Sequence, residues 1–158
     1  MSSTSRIAPA TDDALFEHIG IAELPPPPAA LFLAHDSTAF RRILLVDDDI
    51  CVLALASAML SRLGHRVVPA QNCQDALGCL GRDKTIDYLV TDIVMPNDMN
   101  GVQLMLAARA ARPGLPTLLA SGYPREAWRA LGTIPADIAF IAKPYSLAEI
   151  GAQIGRVG

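Results

Sequence analysis

The stretch ILLVDDDI, residues 43–50, runs four apolar side chains straight into three aspartates. An unbroken apolar run of that length reads as a strand covered on both faces, the pattern of a parallel sheet. The aspartates then crowd together at the mouth of the strand. Two carboxylates about 4 Å apart repel by roughly 4 kcal/mol at an effective dielectric near 20. A helix N-terminus, a cation or a raised pKa has to offset that repulsion.

Working outward, the chain alternates strand and helix. Asp48 or Asp49 is placed to cap a helix that runs to about Leu63, with Val52, Leu53, Ala56, Met59, Leu60 and Leu63 as its apolar stripe and Gly64 as its stop. HRVVPA (65–70) is a short strand whose Pro69 suits a sheet edge. NCQDALGCLG (72–81) reads as a helix between an Asn72 cap and a Gly81 stop, and IDYLVTD (86–92) as the third strand. NGVQLMLAARAARPG (100–114) is a helix closed by Pro113 and Gly114, and PTLLAS (116–121) is the fourth strand. PREAWRALG (124–132) is a short helix, AFIAK (139–143) the fifth strand, and SLAEIGAQIGRV (146–157) the last helix, opened by a Ser146–Glu149 capping box. Five strands alternating with five helices define an α/β fold, an open parallel sheet with helices on both faces.

Residues 1–40 differ from the rest. A polar start, a short helix over 11–20 and the polyproline run of residues 25–28 read as an N-terminal extension with a stiff linker, leaving 41–158 as the folded domain.

The chain has 158 residues, 51% hydrophobic and 18% charged, with a net charge of −3. That is enough apolar surface for one core, and too little positive charge to make nucleic acid the expected partner. With no long apolar run and no basic-then-apolar start, neither membrane insertion nor a secretory leader is expected, and a cytoplasmic location is. Cys51, Cys73 and Cys79 are odd in number and lack C-x-x-C spacing, so they read as reduced thiols. His18, His35 and His65 are too scattered for a metal or phosphotransfer site.

The strand ends carry the chemistry. Asp47 and Asp48 follow the first strand, Asp92 ends the third, Ser121 the fourth and Lys143 the fifth. Ligands of open parallel sheets bind beyond the carboxyl ends of the strands. Four strands therefore deliver three carboxylates, a hydroxyl and an ammonium to one edge. Carboxylate oxygens, a backbone carbonyl and waters suit a small hard cation such as Mg2+, which would relieve the crowding of Asp47, Asp48 and Asp92. Asp49 is left to face away and cap the helix.

These pieces resemble a known family. ILLVDDD, DYLVTDIVMPNDMNG, LLASGYP and FIAKPY, in this order, resemble the receiver domain of bacterial two-component response regulators, and DIVMPNDMNG, SGYP and KPY look most like receivers of hybrid histidine kinases. The resemblance implies a flavodoxin-like sheet with strand order 2-1-3-4-5. It implies that Asp92 is the phosphoacceptor and that Asp47, Asp48, Asp92 and the carbonyl of Val94 hold Mg2+, with Mn2+ as a substitute. Lys143 would pair with the phosphoryl oxygens, and Lys143–Pro144 would be a cis peptide. Ser121 would move toward the phosphoryl group while Phe140 swings inward. The partners implied are a sensor histidine kinase or histidine phosphotransfer protein and a downstream effector, with the chain a monomer or a phosphorylation-dependent dimer.

After Pro144 only a last helix remains, so a single-domain response regulator without an output domain is expected, signalling or passing phosphoryl on in a phosphorelay. It is expected to be a switch with at most self-catalysed phosphorylation and dephosphorylation, not an enzyme. An aspartate-nucleophile phosphohydrolase would need D-x-D-x-T after the third strand, where this chain has DIVMP, and no G-x-x-x-x-G-K loop is present. The alternative is a receiver-like scaffold that binds partners without phosphorylation. Two departures stand out. The loop after Pro96 is long and adds Asp98, and an apolar Val94 and a bulky Tyr123 flank the expected path of attacking water, which would lengthen the life of an acyl phosphate. Trp128 and Tyr145 read equally as partner contacts or as packed rings.

Overall fold

The computed structural model describes residues 40–96, 99–124, 127–128 and 133–156. The expected N-terminal helix and polyproline linker lie outside them, as does Asp98. The strands are β1 (Arg42–Val46), β2 (Arg66–Ala70), β3 (Tyr88–Asp92), β4 (Thr117–Ser121) and β5 (Ala139–Ala142). The helices among the described residues are α1 (Ile50–Arg62), α2 (Cys73–Arg82), α3 (Gly101–Ala111) and α4 (Leu147–Arg156). All strand pairs are parallel, as the alternation of strand and helix predicted, and the sheet order is β2-β1-β3-β4-β5, as the resemblance implied.

β1 sits inside the sheet and its side chains divide by the two-residue period of a strand. Ile43 and Leu45 enter one core layer with Leu53, Ala56 and Leu60 of α1 and Ile150 and Ile154 of α4. Leu44 and Val46 enter the opposite layer with Ala76 and Leu80 of α2 and Leu104 and Ala108 of α3. A third cluster of Ile93, Val102, Met105, Leu119, Trp128 and Ile138 extends the core toward β5. The uniform apolarity of 43–46 follows from this burial on both sides.

β2 is an edge strand, and Pro69 pairs with Leu45. The Arg66 amide donates inward to the Arg41 carbonyl. Alternation along the strand therefore turns the proline nitrogen outward, where no ladder bond is lost.

The caps expected at Asp49, Asn72 and Ser146–Glu149 form, and a further one appears at Asn100. Asp49 accepts from the amides of Cys51 and Val52, Asn72 from Asp75, and Asn100 and Gln103 form a reciprocal capping box. Ser146 and Glu149 form another. Gly64 ends α1 at φ +89°, a conformation that disfavours any side chain.

One local expectation needs correction. Gly81 does not stop α2; the helix runs to Arg82, and the Asp83 amide closes its last turn on the Cys79 carbonyl. Arg112 then fixes that end by donating to the carbonyls of Leu80, Asp83 and Ile86. Most of the helix expected over 124–132 lies outside the described residues; within its span the Ala127 amide donates to the Pro124 carbonyl.

Candidate functional site

β1, β3, β4 and β5 all point their carboxyl ends at one edge, and those ends and the residues just beyond them carry the polar groups. Asp47 is buried, Asp92 half-buried and Asp48 exposed, and one carboxylate oxygen from each lies within 4.8 Å of the others. Lys143 enters from β5. Its Nζ lies 2.5 Å from Asp47 Oδ2 and 3.0 Å from Asp92 Oδ2. The structure thus brings together Asp47, Asp48, Asp92 and Lys143, as the strand-end reading required, and Lys143–Pro144 is cis.

The backbone sets these side chains. Asp47 Oδ1 accepts from the Asp49 amide, which keeps Oδ2 turned toward Lys143. Asp92 Oδ1 accepts from the Val94 amide at 3.3 Å. Ser121 is buried, and its Oγ accepts from the Tyr123 amide at 3.0 Å, while its carbonyl accepts from the Lys143 amide at 2.8 Å. Val94 and Tyr123 are exposed at the rim of the site.

Burial pushes the Asp92 carboxyl above the usual range; Lys143 works against that shift and the charge of Asp47 adds to it. Burial alone would lower Lys143, but its hydrogen bond to Asp47 and the charge of Asp92 outweigh burial and hold the ammonium above its ordinary value. Tyr145 is raised by burial, with Lys143 opposing and Asp47 and Asp92 adding. With Val52, Leu55, Ala56 and Met59 it lines an apolar groove of about 280 Å³ next to Lys143.

Phe140 is half-buried on β5, paired with Leu119. Trp128 is buried, so of its two readings packing is the one observed.

Sequence reasoning missed Gly101. Its amide donates to the Ile93 carbonyl at 2.9 Å, and a Cβ there would fall 1.8 Å from the Asp92 carbonyl oxygen. The N-terminus of α3 thus presses directly on the backbone of Asp92. The Asn100–Gly101 pair was the available signal, and it read only as a helix start.

Sheet order and helix placement define a doubly wound, flavodoxin-like module with its polar residues at the carboxyl edge. The chain belongs to the response regulator receiver domain family, whose model matches residues 43–155. Among curated relatives it is 32% identical over 117 residues to the transcriptional regulatory protein CpxR of Escherichia coli K12, covering 74% of this chain and 49% of CpxR. It is 28% identical over 117 residues to the response regulator receiver protein CpdR of Brucella abortus, covering 74% of this chain and 96% of CpdR. Against several other curated transcriptional regulators the chain spans half of their length or less.

Solved structures give the same result. A response regulator receiver protein from Sinorhizobium medicae superposes with a TM-score of 0.67 at 26% identity, covering 77% of this chain and 96% of that one. The receiver domain of the hybrid histidine kinase CckA gives 0.60 at 26%, covering 73% and 96%. The response regulator TrrA of Thermotoga maritima, solved in complex with Mg2+ and beryllofluoride, gives 0.67 at 22%, covering 75% and 100%.

Proposed function

We propose that this receiver domain is a phosphorylation switch in which Asp92 takes a phosphoryl group from the phosphohistidine of a sensor kinase or a histidine phosphotransfer protein. The observation that carries the reading is the bridge of Lys143 between Asp47 and Asp92 beside Asp48. In the transfer, an Asp92 carboxylate oxygen forms the new P–O bond while the P–N bond to the donor imidazole breaks, and the imidazole leaves with a proton. A carboxylate attacks an anionic phosphoryl group only where nearby cations neutralise the charge in transit. Lys143 supplies one such charge.

Three carboxylates against one ammonium leave a net charge of about −2 when all are ionised, which fits a divalent cation. Asp47, Asp48, Asp92 and the carbonyl of Val94 are the residues that would hold Mg2+, and Mg2+ would supply further neutralisation of the phosphoryl oxygens. Asp92, once modified, carries about −1.5 to −2 charge by analogy with other phosphorylated side chains. Lys143 and the Ser121 hydroxyl are the groups placed to answer it, and Phe140, three residues before Lys143, is the ring that responds. The product of the switch is a changed surface for an effector, so the chain works as a phosphoacceptor and not as an enzyme that turns over a separate substrate.

The test is incubation with acetyl phosphate and Mg2+, followed by intact mass. A phosphoryl adduct is expected on the native chain and not on Asp92→Asn. An unmodified native chain would instead favour the phosphorylation-independent scaffold.

A further inference from the structure

Trp128 is the chain's single tryptophan and is 2% exposed. Its ring centroid lies 3.8 Å from that of Phe140, with the planes tilted by 47°. The pair belongs to the cluster formed with Ile93, Val102, Met105, Leu119 and Ile138. Every route from this cluster to the acidic site is short. Ile93 follows Asp92 in sequence, and Leu119 stands on β4 two residues before Ser121, on the same face of the strand. Phe140 pairs with Leu119 across the sheet, and the Lys143 amide is bonded to the Ser121 carbonyl. A displacement of Ser121 or Lys143 therefore reaches the Phe140 ring through directly bonded neighbours.

The packing of Trp128 balances two opposed effects. Burial of its large apolar ring favours the inward position. Its indole N–H is buried with no hydrogen-bond partner among the described residues, which favours leaving it. A side chain held by such opposed terms suits a two-position element that a small local change can tip.

We infer that Trp128 is a positioning residue, a latch whose indole holds Phe140 in the resting packing and is released toward solvent when Asp92 is phosphorylated. The latch rests on the reading of Asp92 as phosphoacceptor. The indole touches the Phe140 ring, so a change in the packing of that ring alters its contact with Trp128. Release of Trp128 is thus coupled to the rearrangement of Phe140, and a smaller residue at position 128 biases the chain toward the switched form.

The test uses the full chain, Mg2+ and beryllofluoride, a phosphoryl analogue. Occupancy of Asp92 is read by fluorine NMR and the environment of Trp128 by its emission, which no other residue of this chain contributes. Emission is expected to shift to longer wavelength with Mg2+ and beryllofluoride together and to stay unchanged with Mg2+ alone. Trp128→Leu is expected to bind beryllofluoride severalfold more tightly, and Trp128→Phe, which keeps a ring against Phe140, to bind as the native chain does. A bound-fluoride signal with unchanged emission overturns the latch and leaves the phosphoacceptor reading intact. Equal affinity of Trp128→Leu and the native chain overturns it as well. The absence of any bound-fluoride signal refutes the phosphoacceptor reading and the latch with it. Should Trp128→Leu fail to fold, the emission of the native chain decides alone.

Discussion

The ammonium of Lys143 lies 2.5 Å from Asp47 Oδ2, joining two residues 96 positions apart in the chain. Both side chains are largely shielded, at 19% and 6% exposure. The ion pair therefore does more than close a surface contact. It sets an ammonium against two carboxylates that stand side by side.

Removing one partner of a buried pair leaves the other charge uncompensated, at a cost of about 3 kcal/mol or more. Lys143→Met is accordingly expected to lose about 3 kcal/mol in urea unfolding without divalent ions. Added Mg2+ is expected to restore part of the loss, because a ligand of the native state stabilises it by mass action. A variant as stable as the native chain, and indifferent to Mg2+, would count against neutralisation as the role of Lys143.

Val94 and Tyr123 stand exposed at the rim, tied by their amides to Asp92 and Ser121. Our reading is that an apolar side chain at 94 and a bulky one at 123 would hinder the approach of water to an acyl phosphate. Val94→Asn and Tyr123→Glu are each expected to speed loss of the phosphoryl group by about tenfold, equivalent to about 1.4 kcal/mol of barrier. Loss of radiolabel from purified phosphorylated chains measures this. Unchanged rates in both variants would remove the idea.

Gly101→Ala forces a carbon to within 1.8 Å of the Asp92 carbonyl oxygen unless α3 moves away. Overpacking of this kind costs about 1–3 kcal/mol and sometimes more, here at the upper end because both sides are backbone. The expected outcome is a lower thermal midpoint together with weaker acetyl phosphate labelling, since the backbone of Asp92 shifts with the helix. Labelling at the native rate in a destabilised variant would separate the two effects.

His65 is buried at the start of β2, and burial, helped by the charge of Arg41 and opposed by Asp87, lowers its pKa from 6.5. The unfolded chain binds this proton near pH 6.5, whereas the folded chain binds it only at lower pH. Below 6.5 the unfolded state thus holds more protons, and the contribution of His65 to stability, full above that pH, is lost as pH falls through the window down to the folded pKa. Urea midpoints of His65→Gln are expected to fall less than those of the native chain between pH 7 and pH 5. Parallel curves would show that His65 contributes nothing to the acid sensitivity.

Much of this was legible because the signals are local. Residues 43–46 are apolar on both faces and β1 is covered on both faces. Asn72 and the Ser146–Glu149 pair cap helices through bonds that span three residues, so spacing alone reveals them. The convergence of Asp47, Asp48, Asp92 and Lys143 was also legible, because parallel topology fixes where strand ends point. What escaped depends on distant approach. Gly81 looked like a stop because its neighbours could not show that Arg112 braces the next turn. The side on which Trp128 lies depends on Phe140, which belongs to another element. Gly101 needed the distance between a helix end and a strand end.

Pro69 closes one route of assembly. With its nitrogen turned outward on the edge strand, the rim of the sheet at β2 lacks a donor where an incoming strand would need one. Two copies cannot join there into a continuous ribbon with an unbroken ladder. An unbroken ladder that extends the sheet is left to the four-residue rim at Ala139–Ala142.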